Sequence, residues 1–119
     1  GKDNCVIVEA VRWDEKTIAA CVASVNCRMD FNGALRKALN ARRVSLASLD
    51  TVLYATGMEY GSITPFGLPK EWKIFIDSRL VDLPRVIIGA GLVKAKLSMP
   101  GKVLIQLPNA ISIEGLGVH

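Results

Sequence analysis

The stretch Gly61-Ser62-Ile63-Thr64-Pro65 is the part of the sequence best suited to chemistry. It lies within Gly57–Pro69, where three glycines and two prolines fall in 13 residues. Glycine permits close backbone approach, and proline stiffens the far end. Such a loop can aim several N–H groups at one carbonyl, carboxylate or oxyanion without charged side chains. The Gly-Lys-Ser/Thr ending of a nucleotide-binding loop is absent. The competing reading is a surface loop held by apolar plugs: Met58, Tyr60, Ile63, Phe66 and Leu68 are interleaved through it. Gly89-Ala90-Gly91 follows an apolar run and reads as a tight bend that faces the same pocket; a dinucleotide fingerprint would need a third glycine. Asp77 ends an apolar strand, where an acid caps a following turn more often than it does catalysis. Arg42-Arg43 reads as a solvated basic patch. The single histidine is His119, the last residue. That excludes Ser-His-Asp and Cys-His catalysis and any multi-histidine metal site as working hypotheses.

These residues need elements to hold them. Cys5–Ala10 and residues 17–23 are β-branched or apolar runs separated by the polar Trp13-Asp14-Glu15-Lys16, which predicts a hairpin. Phe31, Ala34, Leu35, Ala38 and Leu39 recur at helical spacing behind Asp30 as N-cap, with Asn40 as stop. Val44–Ala47 is a short strand. Ser48 caps a helix over 49–56 that Gly57 terminates. Further strands are expected at 73–77 and 85–89. Another is expected at 93–98, with Val93, Ala95, Leu97 and Met99 turned inward. Residues 78–83 form a short turn or helix. Pro100 opens a last helix over 101–107, and 108–113 is a final strand. The pattern predicts one mixed α/β domain spanning 1–119.

Composition is that of a globular chain: 119 residues, 50% apolar and 22% charged, enough for a single core. No run of 18 apolar residues exists to span a bilayer as a helix. The net charge of +4 is compatible with a polyanionic partner without requiring one. Cys5, Cys21 and Cys27 are odd in number and lack Cys-x-x-Cys spacing, which argues against disulfides or a zinc knuckle. Reduced cysteines and no visible secretory leader give the expectation of a cytoplasmic protein.

Gly-Ser-Ile-Thr-Pro-Phe-Gly-Leu-Pro, then Phe-Ile-Asp, then Val-Ile-Ile-Gly-Ala-Gly, in that order, resemble the YbaK/EbsC family of prolyl-tRNA editing domains. The Asn-Cys-Val-Ile-Val strand and the Asp-Phe-Asn-Gly-Ala-Leu-Arg-Lys-Ala-Leu helix extend the resemblance over essentially the whole chain. Thr-Gly-Met-Glu-Tyr-Gly is most similar to an actinobacterial-type branch. The resemblance implies a twisted, barrel-like mixed sheet with flanking helices. It implies hydrolysis of the ester of mischarged tRNA, of the tRNA(Pro) type, with no metal or organic cofactor. It implies the tRNA 3′ end as partner, and prolyl-tRNA synthetase as a second one, with neither a membrane nor specific DNA. Asn4, Gly61 and Asp77 take catalytic positions in this reading, and Ser62, Ile63, Thr64, Pro65, Gly89, Ala90 and Gly91 take substrate-binding ones. Three departures stand out. Family members carry a further N-terminal segment, so the chain reads as N-terminally incomplete. Asn4 stands where many members have lysine, and Gly89 where many have serine. Loss of the lysine keeps open a non-catalytic module of the same fold that binds tRNA or a small ligand.

Overall fold

The computed structural model describes residues 2–58, 63–89 and 96–118. Strand β1 (Asp3–Arg12) and strand β2 (Glu15–Ser24) form the predicted hairpin, in register from Asp3↔Ser24 to Arg12↔Glu15. Each strand runs longer than its apolar core because the turn needs only Trp13 and Asp14, with Trp13 in a left-handed conformation at φ 53. Glu15 and Lys16 therefore belong to β2, and Lys16 pairs with Glu9 across the hairpin at 3.1 Å. Arg42 is not merely solvated: its guanidinium lies 5.0 Å from the centre of the exposed Trp13 ring, a cation–π contact.

A two-residue strand β3 (Arg28–Met29) leads into a helix that opens as a π-helical turn over Phe31–Leu35 and continues as α1 (Arg36–Leu39). The Asp30 carboxylate accepts from the backbone N–H of Gly33 at 3.0 Å and of Ala34 at 3.1 Å. These donors have no partner inside the helix. Asp30→Ala is expected to cost about 1 kcal/mol, read as a Tm fall of roughly 4 °C by calorimetry. Asn40 closes α1 in the left-handed conformation, at φ 50.

Strand β4 (Arg43–Leu46) pairs antiparallel with β1 through Val8↔Leu46 to Val11↔Arg43. Helix α2 (Leu49–Thr56) begins on Ser48, whose hydroxyl accepts from Thr51 N–H at 3.1 Å, and ends on Gly57 at φ 72. Strand β5 (Lys73–Asp77) lies parallel to β2, and short helix α3 (Ser78–Val81) follows it directly. Strands β6 (Val86–Gly89) and β7 (Lys96–Met99) make a two-stranded antiparallel ribbon. A 3-10 helix over Gly101–Gln106 leads to β8 (Ala110–Ile113), which is parallel to β5. Finally β9 (Gly117–Val118) pairs with β3.

The main sheet has the order β4-β1-β2-β5-β8 and is mixed, with β1 antiparallel to its two neighbours. Because side chains alternate along a strand, each face of the sheet builds its own core. Cys5, Ile7, Ala20, Val22, Ile74 and Ile76 pack on one face beneath α2, α3 and β6. Val8, Ala10, Ala19, Cys21, Ala23 and Phe75 pack on the other beneath Leu35 and Leu116. The last helix is a 3-10 helix. One expectation needs correction: Leu97 is exposed rather than turned inward, although Met99 on the same strand packs against the first core. Val93 and Ala95 lie outside the described residues. Among the described strands β7 pairs with β6 alone.

Candidate functional site

A cavity of about 230 Å³ is lined by Asp3, Asn4, Cys5, Val6, Ile63, Gly89 and Lys96. Its position follows from the sheet. The β4 ladder with β1 begins at Val8, so among the described residues Asn4–Val6 pair as a strand on one side only, with β2. The β6–β7 ribbon stands next to this open stretch, tied to it by the parallel bridge Lys2↔Ile87. Gly89 at the end of β6 and Lys96 at the start of β7 thereby meet the beginning of β1. A strand edge without a partner offers backbone N–H and C=O groups to whatever occupies the cavity.

Three of the anticipated site residues come together here: Asn4, Ile63 and Gly89. Ile63 is buried and forms part of the apolar wall with Cys5 and Val6. Thr64 is also buried, and its hydroxyl accepts from Phe66 N–H at 3.4 Å. Pro65 lines a different, mainly apolar cavity of about 210 Å³, with Leu68, Trp72 and Leu107 among its walls. Gly61, Ser62, Ala90 and Gly91 lie outside the described residues.

Asp77 is not on the described lining of the cavity; it lies on the face of the sheet that carries Phe75. There its carboxylate caps α3 by accepting from Arg79 N–H at 3.2 Å and takes the Arg79 guanidinium at 2.9 Å. It also accepts from Gly117 N–H at 3.1 Å, while the Arg79 guanidinium donates to the Gly117 carbonyl at 2.7 Å. The acid thus welds the end of β5 to β9. Alternation along Lys73–Asp77 sends Phe75 and Asp77 one way and Ile74 and Ile76 the other. The turn-capping reading of Asp77 is the one this geometry carries.

Two residues at the cavity escaped the sequence reading. Lys96 supplies a cation from β7, on the same lining as the neutral Asn4 of β1. Asp3 lines the same cavity, is 6% exposed, and its Oδ2 has no hydrogen-bond partner among the described residues. Burial pushes the Asp3 carboxyl above the usual carboxylate range, opposed by the N-terminal ammonium and then by the Ile87 N–H, with the Asp77 charge adding a smaller push upward. The signal available was the acid beside Asn4 at the start of an apolar strand. Cys5 and Cys21 are poor nucleophiles: burial pushes the Cys5 thiol up to about 12 and the Cys21 thiol well above its ordinary value. Among the described residues no three of His, Cys, Asp and Glu cluster closely enough to hold a metal. Among the same residues, no helix is long and apolar enough to cross a membrane.

The cavity can therefore hold a small ligand between an acid, a cation, an amide and an apolar wall, with backbone groups to orient a carbonyl. Comparison with known proteins agrees in class. The model of the aminoacyl-tRNA editing domain family matches residues 4–107. A crystal structure of the hypothetical protein APE2540 superposes with a TM-score of 0.84 at 22% identity, over 98% of this chain and 73% of the other. A candidate trans-editing enzyme for prolyl tRNA synthetase superposes with a TM-score of 0.81 at 19% identity, over 99% of this chain and 71% of the other. A scaffold protein used for epitope backbone grafting also has a TM-score of 0.81, at 18% identity over 99% and 72%. Comparison with curated protein sequences finds no match.

Proposed function

The chain belongs to the aminoacyl-tRNA editing domain family, and on that premise we propose that it hydrolyses the ester joining a wrong amino acid to the 3′ end of a tRNA, of the tRNA(Pro) type. The observation that carries this reading is the cavity itself. Asn4, Asp3 and Lys96 are its polar groups, Cys5, Val6 and Ile63 are its apolar wall, and the open edge of β1 runs along it. Water attacks the ester carbonyl carbon, the carbonyl oxygen takes the developing charge, and the bond to the terminal ribose oxygen breaks. Backbone N–H groups stabilise that oxyanion without side-chain acids. By resemblance to the family, Gly61–Pro65 is the loop that positions the ester, and the ribose's own neighbouring hydroxyl helps activate the water. By the same resemblance, exclusion of larger side chains is the selectivity that hydrophobic pockets of synthetases cannot supply alone. Such an activity belongs beside prolyl-tRNA synthetase in the cytoplasm.

Deacylation of mischarged prolyl-, alanyl- and cysteinyl-tRNA tests the reading. Asn4→Lys exchanges a neutral hydrogen bond, worth about 0.5–1.5 kcal/mol, for a charged one of about 1.5–3 kcal/mol. It is expected to raise the rate on the order of tenfold. Gly61→Ala is expected to lower it with an unchanged melt. If both variants hydrolyse at the parent rate, the site is misassigned. The second reading, a binding module without catalysis, is favoured by one observation, the neutral Asn4 at the cavity. It predicts saturable binding of aminoacyl-tRNA with no hydrolysis in the parent or in Asn4→Lys.

A further inference from the structure

We propose that the tip of the β1–β2 hairpin and the start of β4 form an RNA-docking surface, on which Trp13, Arg42 and Arg43 hold the acceptor arm of a tRNA whose 3′ end reaches the cavity at Asn4. That the RNA is a tRNA rests on the editing reading of the site. A separate cavity of about 370 Å³ is lined by Val11, Trp13, Arg42 and Arg43. Arg43 lies opposite Val11 in the β1–β4 ladder. The Arg42 N–H donates to the Val11 carbonyl at 2.8 Å. Backbone pairing therefore fixes both arginines beside the hairpin tip. The Arg42 guanidinium lies over the Trp13 ring, yet the ring stays 72% exposed. Both arginines are exposed, and among the described residues neither has an ion-pair partner. Asp14 and Glu15 are the acids of the turn; neither lines this cavity, and Glu15 sits opposite Arg12.

Trp13 occupies a backbone position that favours glycine. It opens a two-residue hairpin turn at φ 53, where a Cβ is crowded. Strain carried by an exposed aromatic does nothing for the core and points to a use outside the fold. An open ring flanked by unpaired guanidinium groups suits a nucleic-acid strand, because the ring stacks a base while the cations take phosphates. An apolar protein partner would instead desolvate two cations without supplying anions. The place on the fold agrees. β4 and the cavity of Asn4 share one edge of β1: β4 takes that edge from Val8, and the cavity opens along Asn4–Val6. Val11 is seven residues from Asn4 along the same strand, roughly 23 Å at about 3.3 Å per residue. A tRNA with its terminal adenosine in that cavity can run its acceptor arm along this edge to the arginines. An aminoacylated nucleoside is too short to touch both places.

The test measures binding of a labelled, uncharged tRNA(Pro) transcript to the intact chain by anisotropy at several salt concentrations. Trp13→Gly is expected to weaken binding roughly tenfold, the worth of one stacked base, with no fall in Tm because glycine suits the turn. The pair Arg42→Gln and Arg43→Gln is expected to reduce the slope of log K against log salt by about 1.4–1.8, the share of two phosphate contacts. Trp13 and Trp72 are the two tryptophans, and Trp72 is buried, so the transcript is expected to quench the emission of the parent through Trp13. A parent that does not bind the transcript, emission unchanged on binding, or variants with the parent's affinity and salt slope overturns the proposal. So does attachment to phosphatidylserine vesicles that is tighter than tRNA binding and lost in the same variants, which would assign the surface to a membrane. None of these measurements needs ester cleavage. Variants that lose tRNA binding, in a protein that hydrolyses no mischarged tRNA, remove the deacylase reading and keep the surface. Hydrolysis by a protein whose variants bind tRNA as the parent does has the reverse meaning.

Discussion

Gly101→Ala is expected to cost at least about 3 kcal/mol, at the upper end of what a forced extra methyl costs in a packed interior. A Tm fall of roughly 10 °C or more would follow for a domain of this size. Gly101 opens the 3-10 helix and is buried against the turn after α3. A Cβ placed on it would run into the Leu80 carbonyl, falling 2.8 Å from the Leu80 carbonyl carbon and 3.2 Å from the Leu83 oxygen. These are backbone atoms and cannot swing aside as a side-chain tip would. The Gly101 N–H also donates to the Leu83 carbonyl at 2.9 Å, so the segment cannot retreat without breaking that bond. Gly57→Ala provides the contrast. Its φ of 72 strains an alanine, but nothing lies within 4 Å of the added carbon, and the expected cost is about 1 kcal/mol. Urea denaturation of both variants checks the ranking. A Gly101→Ala protein as stable as Gly57→Ala would mean that α3 and the 3-10 helix do not pack as described.

Asp77→Ala is expected to be destabilising by about 3 kcal/mol, because it orphans several donors at once, each costing about 1–3 kcal/mol when buried. Gly117 N–H loses its acceptor, α3 loses its cap, and the guanidinium of Arg79 loses its anion. Asp77→Asn keeps one acceptor oxygen and is expected to fall between the parent and alanine. Both variants should hydrolyse aminoacyl-tRNA at the parent rate per folded molecule, since the carboxylate is taken up by Arg79 and Gly117 and is not on the described lining of the cavity. The informative pairing is denaturation midpoint against rate. An unchanged midpoint with hydrolysis abolished would return Asp77 to the reacting groups and overturn its structural assignment.

Local chemistry made much of this protein legible before any coordinates. Asp30, Ser48, Asn40 and Gly57 bound the helices where their side chains or backbone freedom predict, because caps act over three or four residues. The hairpin and β5 are legible from β-branched runs for the same reason. The family resemblance, carried by the order of three short motifs, agrees with the family match over residues 4–107.

Partnership across the chain is where sequence reading stops. Asp77 and Gly117 are 40 residues apart and meet through β5 and β9, so no local pattern distinguishes that acid from a catalytic one. The two-residue strands Arg28–Met29 and Gly117–Val118 are too short for any periodicity and exist only because they pair with each other. Leu97 looks inward by alternation, yet it is exposed, while Met99 two residues on packs against the core. The cavity depends on where β4 stops covering β1 and where the β6–β7 ribbon stands. Residue type and spacing determined the elements, their caps and the family. Only the tertiary structure decided that Asp3 and Lys96 join Asn4 while Asp77 does not, because a strand's alternation sets two faces but packing alone decides what each face meets.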